Sequence, residues 1–428
     1  MRIGLTRRAL LGLAVAGLAC AQVATQAIAT VNPETVGLSS ERLERIGKAV
    51  QQEIDANRLA GAVTLVARRG RVAWLKAQGS MDKESGKAMR PDAIFRICSM
   101  TKPITSTAVM MLYEEGRFLL NDPVSKYLPE FKNSKVLVKP ASGAPYTIPA
   151  RSEITIKQLL THTSGLTYNW NDDLGAQYTK AGVAHGLLPY DETIGDSVKA
   201  LAALPLLFQP GERWDYSLGI DVLGRLVEVV SGKPLDEFFR TRIFEPLGMT
   251  DTYFFLPEDK VSRLATAYTY YEGKGLNRFP DTPIKEGPFE YSADYPVRGA
   301  KKLFSGGGGL SSTAADYLKF CQMFLDGGKA NGRRLLSRKT VEMMTHDQIG
   351  KIGPDQGFGL GFGVNGMKSP VGELSSPGQF GWGGFFFTQF FIDPKEQMIG
   401  IFMAQLHPTG DLHLDSLFEV LAYQAVND

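Results

Sequence analysis

Hydrophobic and polar positions in the first part of the chain predict a helix, a strand pair and a second helix. In Ser39–Ile54, apolar residues recur at helical spacing among charged ones, as on one face of an amphipathic helix. The β-rich runs Ala62–Arg68 and Val72–Ala77 are separated by a short turn that contains a glycine, so they predict a hairpin. Phe95–Cys98 leads from the sheet into Met100–Gly116, where the apolar spacing again predicts a helix.

The middle of the chain predicts short helices and long loops. Helical spacing occurs in Ile156–Leu160, Ile194–Leu204, Ile220–Val230 and Leu235–Ile243. The stretch Tyr268–Arg298 is rich in Gly, Pro and Tyr without a clear period. Because disordered segments are poor in aromatic residues, we predict that this stretch forms a loop layer facing the substrate.

The last third predicts a return to mixed structure. Helices are expected after Ser312 or Thr313 and after Ser337 or Thr340, since hydroxyl side chains are favoured at helix N-caps. The strand-like runs and the closing helix are, in order, Gly357–Val364, Phe385–Ile392, Met398–Ala404 and Leu412–Val426. Gly306–Gly309 is not followed by a G-K-[ST] motif, so a close-packing or hinge role is expected instead of a phosphate loop.

These elements predict an α/β (α+β) fold built from both ends of the chain. Residues 31–100 and 299–428 would form one α/β domain, and residues 101–298 a mainly helical domain with substrate-facing loops. A functional site is expected in the cleft between them.

Residues 1–29 indicate an export signal peptide. Arginines precede the apolar run Ala9–Ala19, and Ala27-Ile28-Ala29 provides a small-residue cleavage site. Thr6-Arg7-Arg8-Ala9-Leu10-Leu11 resembles a twin-arginine signal, so we predict a bacterial protein exported to the periplasm or secreted. A lipid anchor on Cys20 is the less favoured alternative. No other apolar run reaches the ~18 residues that a membrane span needs.

Composition excludes several classes of function. The 428 residues are 43% hydrophobic and 21% charged, with a formal net charge of +2 and scattered basic residues, so nucleic-acid binding is not expected. The histidines have no ligand spacing with carboxylates or thiols, so neither a metal nor another cofactor is predicted. Cys98 and Cys321 lie in apolar surroundings and are expected to be buried free thiols.

Ser99 is the candidate nucleophile. It stands three residues before Lys102 at the start of the predicted second helix, so the amine comes within reach of the hydroxyl. A desolvated amine is one of the few groups that can take the proton of a serine. Ser80 and Lys83 have the same spacing, but they lie in a polar turn with no helix to bury the lysine. Cys98 lacks a partner base one turn away.

Five further segments follow Ser99-Met100-Thr101-Lys102 in the chain. They are Leu159–Leu166, Pro210-Gly211-Glu212, Trp214–Ser217, Gly306–Tyr317 and Gly381-Trp382-Gly383-Gly384. Together, in this order, the six segments resemble the serine β-lactamase and penicillin-binding protein superfamily, most closely the family VIII carboxylesterases. The resemblance implies a class C β-lactamase-like fold with a mainly antiparallel sheet flanked by helices and a second, mostly helical domain.

The resemblance also implies the catalytic roles. Ser99 would attack the substrate carbonyl, while Lys102 and Tyr216 together move its proton; which of the two is the proximate base stays open. A phenol beside a buried ammonium gives up its proton more readily than a free one, which suits Tyr216 to this role. His162 has the alternative role of a catalytic base, but the surrounding Leu160–Leu166 resembles a structural segment of the superfamily.

An oxyanion hole and a pocket wall are implied in the same way. The two oxyanion donors would be the N–H groups of Ser99 and Phe385, and Gly383 and Gly384 would let the strand approach the substrate closely. Trp382 would wall the pocket, with simple core packing as its alternative role.

Two departures from class C β-lactamases favour ester substrates. Tyr216-Ser217-Leu218 lacks the asparagine of Y-x-N, and Trp382-Gly383-Gly384 stands where β-lactamases have K-T-G. Lys351 lies nearby, but in a Gly/Pro loop. Without a cation for the penicillin carboxylate, a small neutral ester is the expected partner, with weak cephalosporin hydrolysis as a possible side activity. The alternatives are a true class C-like β-lactamase, a D-amino-acid peptidase and a catalytically inactive penicillin-binding-like protein.

Overall fold

The computed structural model of the protein describes residues 28–353, 357–365 and 374–428. The predicted leader, with Cys20, lies outside these residues apart from its last two positions. The α-helices are α1 Ser40–Asp55, α2 Thr101–Glu114, α3 Ile156–Leu160, α4 Gly175–Lys180, α5 Ile194–Ala202, α6 Gly219–Ser231, α7 Leu235–Phe239, α8 Glu245–Leu247, α9 Glu258–Val261, α10 Ala314–Leu325, α11 Arg338–Met344 and α12 Leu414–Tyr423.

The strands occur in groups between groups of helices along the chain. They are β1 Gly61–Arg68, β2 Arg71–Asp82, β3 Lys87–Ala88, β4 Phe95–Arg96, β5 Lys135–Val138, β6 Tyr146–Pro149, β7 Tyr268–Tyr271, β8 Gly275–Arg278, β9 Ile284–Glu286, β10 Phe289–Tyr291, β11 Ser311–Ser312, β12 Lys329–Ala330, β13 Arg333–Arg334, β14 Gly363–Val364, β15 Phe380–Gly384, β16 Thr388–Asp393 and β17 Met398–Met403.

One antiparallel sheet joins the two ends of the chain. Its strand order is β14-β15-β16-β17-β1-β2-β3, so β1 lies between its hairpin partner β2 and the distant β17. Every residue of β1 and β17 is buried, as expected for central strands that read as continuous apolar runs. The pairing of Val63 with Met403 fixes the register between them.

Helices cover both faces of this sheet. The apolar side of α1 includes Leu43, Ile46 and Val50. It packs in one core with α12 and with the side chains of β1 and β17 on the same face of the sheet. The opposite face packs against α2 and α10 within a larger core that continues through α6. The expected mixed fold, with a mainly antiparallel sheet flanked by helices, is confirmed.

Hydroxyl side chains begin several helices, as the sequence predicts. Ser39 caps α1, Thr313 accepts a hydrogen bond from the N–H of Asp316 at the start of α10, and Ser337 accepts from Thr340 at the start of α11. Such caps satisfy backbone donors that have no partner inside the helix.

The predicted strand Phe385–Ile392 begins too early, because only Thr388–Ile392 lies in a strand. The structure has two strands there, β15 and β16, joined by a tight turn at 385–387 in which Phe387 has a φ of +63°. Three residues of β15 are glycines, so the strand has no alternating side-chain pattern in the sequence. The aromatic residues of the turn form an apolar run that resembles a strand instead. Within Gly357–Val364, only Gly363–Val364 is a strand.

Two other predicted segments also differ. The expected loop layer Tyr268–Arg298 contains two short hairpins, β7–β8 and β9–β10, whose turns use Gly273, Gly275 and Gly287 at positive φ. The predicted helix Leu235–Ile243 continues as a π-helical turn into α8 at Leu247.

Both described cysteines, Cys98 and Cys321, are buried and free, as expected. None of the helices in the described ranges has the length and apolarity needed to cross a membrane.

Candidate active site

Ser99 lies in a tight turn between a strand and a helix. The 3-10 turn Cys98–Met100 connects β4 to α2, and Cys98 adopts a φ of +45°, which is unusual for a residue with a side chain. Such left-handed residues cost of order 1–3 kcal/mol and need support from their surroundings. That support comes from the Ile97 N–H, which donates to Leu310 O at 3.0 Å, and from Tyr317 Oη, which donates to Met100 O at 2.8 Å.

Lys102 is aimed at this serine from the first turn of α2. Its Nζ donates to Ser99 Oγ at 3.1 Å and to Gly307 O at 2.6 Å, and the side chain is only 1% exposed. Nζ also lies over the ring of Tyr216, 4.6 Å from its centroid. The competing pair is built differently, because Ser80 lies at the end of β2 and Lys83 is exposed and donates to Asn57 Oδ1.

Tyr216 is held between two aromatic neighbours. Trp382 Nε1 donates to Tyr216 Oη at 3.3 Å, and the His162 ring packs against the phenol at a centroid distance of 4.8 Å. The ring therefore has little freedom to leave the cationic end of Lys102. The structure thus brings Tyr216 and Trp382, which are distant in the sequence, to the Ser99–Lys102 pair.

His162 supports this arrangement as a neutral side chain. Its Nδ1 accepts a hydrogen bond from the Ser217 N–H at 3.2 Å, which assigns the ring proton to Nε2. Burial, with a smaller contribution from the positive charge of Lys102, holds the pKa of His162 well below its ordinary value. Nδ1 is therefore engaged with the backbone that follows Tyr216.

The glycine-rich end of β15 touches the nucleophile turn. A Cβ on Gly384 would lie closer than 3.0 Å to the carbonyl oxygen of Ile97, whereas a Cβ on Gly383 would meet Thr388 O at 3.3 Å. Gly384 therefore allows a backbone approach that no other residue type permits. Phe385 follows at once and lines the same cleft as Ser99.

These residues line a cleft of about 550 Å³, a size typical of small-molecule sites. The described residues around it include no lysine or arginine, while Asp415 and Glu419 are part of its lining. Lys351 is exposed on a short 3-10 turn and provides no cation on β15.

Aromatic side chains form the walls. Trp170 is 39% exposed and stacks on Tyr168 with 4.0 Å between centroids. Phe385 packs against His407 at 3.7 Å, and burial lowers the pKa of His407 to about 4, so this wall is uncharged at neutral pH. Trp170 was not among the site residues predicted from the sequence. Its position four residues after Leu159–Leu166 could have indicated that it lines the cleft.

Cys98 is a poor nucleophile despite its position. Burial raises the pKa of its thiol to about 11, and its Sγ lies 3.5 Å from Tyr295 Oη. The thiol is therefore protonated at neutral pH. Across the described ranges, no group of three or more His, Cys, Asp or Glu side chains could hold a metal ion.

A family model described as Beta-lactamase matches residues 46–424. The chain belongs to the beta-lactamase family. Esterase EstB of Burkholderia gladioli is 33% identical over 378 residues, covering 85% of this chain and 91% of EstB. Lovastatin esterase of Penicillium rubens is 30% identical over 394 residues, covering 85% of this chain and 94% of that enzyme.

A solved structure supports the same placement. EstCE1, a hydrolase with promiscuous acyltransferase activity, aligns with a TM-score of 0.77 and 29% identity, covering 91% of this chain and 99% of EstCE1. Named esterases are therefore among the relatives of this beta-lactamase family member, together with putative D-alanyl-D-alanine carboxypeptidases such as one from Escherichia coli, 30% identical over 385 residues, covering 86% of this chain and 83% of that protein. The resemblance to family VIII carboxylesterases, expected from the six sequence segments, is confirmed.

Proposed function

We propose that this protein is a serine carboxylesterase that hydrolyses short-chain acyl esters through an acyl-enzyme on Ser99. The observation that carries the proposal is the buried Lys102 Nζ, which lies 3.1 Å from Ser99 Oγ and 4.6 Å from the centroid of the Tyr216 ring. A serine hydroxyl needs such a neighbour to become a nucleophile.

The reaction proceeds in two halves. Ser99 Oγ attacks the ester carbonyl carbon while its proton passes to the Lys102–Tyr216 pair. The carbonyl re-forms as the bond to the alcohol oxygen breaks, and the pair returns the proton to that oxygen. Water then attacks the acyl-enzyme in the same way, which releases the acid and restores the Ser99 hydroxyl.

The negative charge of each tetrahedral intermediate needs two aimed donors. We assign these to the N–H groups of Ser99 and Phe385, because both residues line the cleft and Gly384 brings β15 against the nucleophile turn. Removing one such donor typically lowers kcat about 100-fold or more.

The cleft favours neutral substrates. A penicillin carboxylate requires a cation, and the described cleft lining holds aromatic rings, glycines and two carboxylates instead. EstB and lovastatin esterase are esterases by name, in agreement with this chemistry. Hydrolysis of cephalosporins is proposed only as a weak side activity, and a β-lactamase or D-amino-acid peptidase is the second candidate.

A substrate panel tests the proposal. p-Nitrophenyl esters of increasing acyl length are compared with a chromogenic cephalosporin and a D-alanyl-D-alanine peptide, with Ser99→Ala as the control. Short esters should be turned over fastest, and a fluorophosphonate probe should label Ser99 in mass spectrometry. Faster turnover of the cephalosporin or peptide would favour the second candidate, and absence of labelling in folded protein would indicate an inactive binding protein.

We also propose export through the leader at residues 1–29 and the division into an α/β domain, 31–100 with 299–428, and a helical domain, 101–298. Periplasmic fractionation and N-terminal sequencing of the mature protein test the leader. Limited proteolysis tests the division, because cleavage should concentrate near the two domain junctions.

A further inference from the structure

Asp221 places a carboxylate in the apolar interior behind Lys102. It lies in α6 and is 3% exposed, with Ile220, Val222 and Leu223 fully buried around it in the chain. Burying a charge is costly unless hydrogen bonds or an opposite charge compensate for it. The signal was present in the sequence, since one acidic residue interrupts the apolar run that predicts α6.

The carboxylate holds the glycine loop that follows Phe304. Asp221 Oδ1 accepts hydrogen bonds from Ser305 Oγ at 2.6 Å and from the Gly307 N–H at 3.1 Å. Its Oδ2 has no hydrogen-bond partner among the described atoms. A Cβ on Gly307 would collide with Oδ2, so a larger residue there would displace the carboxylate. This gives a close-packing reason for part of Gly306–Gly309.

The same loop touches the lysine from the other side. Gly307 O accepts the 2.6 Å hydrogen bond from Lys102 Nζ, and Gly306 O accepts from Thr105 Oγ1 at 2.7 Å. The Gly307 N–H therefore donates to the Asp221 carboxylate, and the Gly307 carbonyl oxygen accepts from Lys102 Nζ. Burial raises the pKa of Asp221, while the Ser305 hydrogen bond and the Lys102 charge act in the opposite direction.

Other titratable groups face Lys102 as well: Cys98, His162, Tyr168 and Tyr216. Burial raises the pKa values of Cys98 and Tyr168 and lowers that of His162, so these three are uncharged at neutral pH. Tyr216 is the partner in proton exchange. Among the described groups that act on Lys102, Asp221 therefore supplies the carboxylate.

We propose that Asp221 is a positioning residue that acts through Lys102: its charge and its hold on Gly307 keep the ammonium form of Lys102 directed at Ser99. In class C β-lactamases the asparagine of Y-x-N provides an amide near this lysine, and Leu218 cannot do so here. Asp221, three residues later, supplies the missing polar group. The inference rests on the proposed esterase function.

The isosteric substitution Asp221→Asn removes the charge and retains an oxygen for Ser305 and Gly307. Without a nearby anion, the Lys102–Tyr216 pair loses its proton more easily, whichever member gives it up. The acid limb of the kcat/KM profile should therefore move to lower pH by on the order of one unit. The substrate is phenyl acetate, which is neutral throughout the range.

Ser305→Ala is the matched control. It removes a hydrogen bond from the same carboxylate and leaves the carboxyl group in place, so the acid limb should move less than in Asp221→Asn. An unmoved limb in folded Asp221→Asn would overturn the proposal and leave Asp221 with a structural role only. If thermal melting shows that Asp221→Asn is unfolded, Gly307→Ala is measured instead, because its Cβ displaces the carboxylate. An unchanged acid limb of the kcat/KM profile in Gly307→Ala would likewise overturn the proposal.

Failure of the proposed function has a different signature. If the unaltered protein does not hydrolyse phenyl acetate, the esterase assignment fails. The pH dependence of fluorophosphonate labelling of Ser99 then reports on the same proton, and the shift between the parent protein and Asp221→Asn is measured there.

Discussion

Substituting Gly384 tests whether the end of β15 forms half of the oxyanion hole. In Gly384→Ala, the new Cβ would lie closer than 3.0 Å to Ile97 O and to Thr388 Oγ1, whereas ordinary contacts begin at 3.4 Å. The Thr388 side chain can rotate, but Ile97 O belongs to the backbone of the nucleophile turn. The strand end and the turn must therefore separate by about 1 Å, a displacement that can cost ~100-fold in rate.

This estimate agrees with the loss of one oxyanion donor. Moving the Phe385 N–H away from the developing charge should cost ~100- to 1000-fold in kcat, or about 2.7–4 kcal/mol of transition-state stabilisation. KM should change much less, because a ground-state carbonyl depends weakly on this donor. Gly384→Ala should also lower Tm, because two packed backbone segments are forced apart.

Gly383→Ala is the matched control. The substitution is chemically identical and one residue away, but its Cβ meets Thr388 O at 3.3 Å, which small adjustments relieve. Initial rates with p-nitrophenyl acetate and thermal melts are measured for both variants. If folded Gly384→Ala retains a kcat within about threefold of Gly383→Ala, the assignment of the Phe385 N–H to the oxyanion hole is refuted.

Three further experiments test other parts of the site. Lys102→Met should lower kcat by ~100- to 10,000-fold with an unchanged melt, and near-parent activity would remove the lysine from proton transfer. Trp170→Leu should raise KM for benzyl acetate more than for cyclohexylmethyl acetate, because only the aromatic alcohol stacks on the indole. Trp170→Phe should keep the preference for benzyl acetate. Equal effects of Trp170→Leu on both esters would contradict stacking. Native Cys98 should resist iodoacetamide at pH 8 because burial raises the pKa of its thiol to about 11, and rapid alkylation of the native protein, read by mass spectrometry, would contradict this.

Local sequence signals predicted the elements that carry the nucleophile. The spacing of Ser99 and Lys102 needs only one helical turn to bring the two side chains together, so the helix prediction already implied the 3.1 Å contact. The hairpin β1–β2 and the helix α1 were equally accessible, because each has a clear period and a local start signal.

Long-range features were less accessible. The hydrogen bond of Asp221 to Gly307 spans 86 positions, and no local period reports it. β15 has glycines where a strand pattern needs side chains, so its position was apparent only from the resemblance at Trp382 and not from its own composition. Trp170 lies in a loop, where contacts and not periodicity determine exposure.

The two departures from the β-lactamase pattern have a common physical consequence around Tyr216. Where K-T-G would provide a cation, Trp382 instead provides an indole whose Nε1 donates to Tyr216 Oη at 3.3 Å. A neutral donor stabilises a phenolate less than a cation does, and it attracts no carboxylate from the substrate. The charge that orders Lys102 comes from Asp221 on the buried side instead of from the cleft. The site can therefore retain its proton-transfer pair while its described lining presents no cation to the substrate, and this combination suits neutral esters better than penicillins.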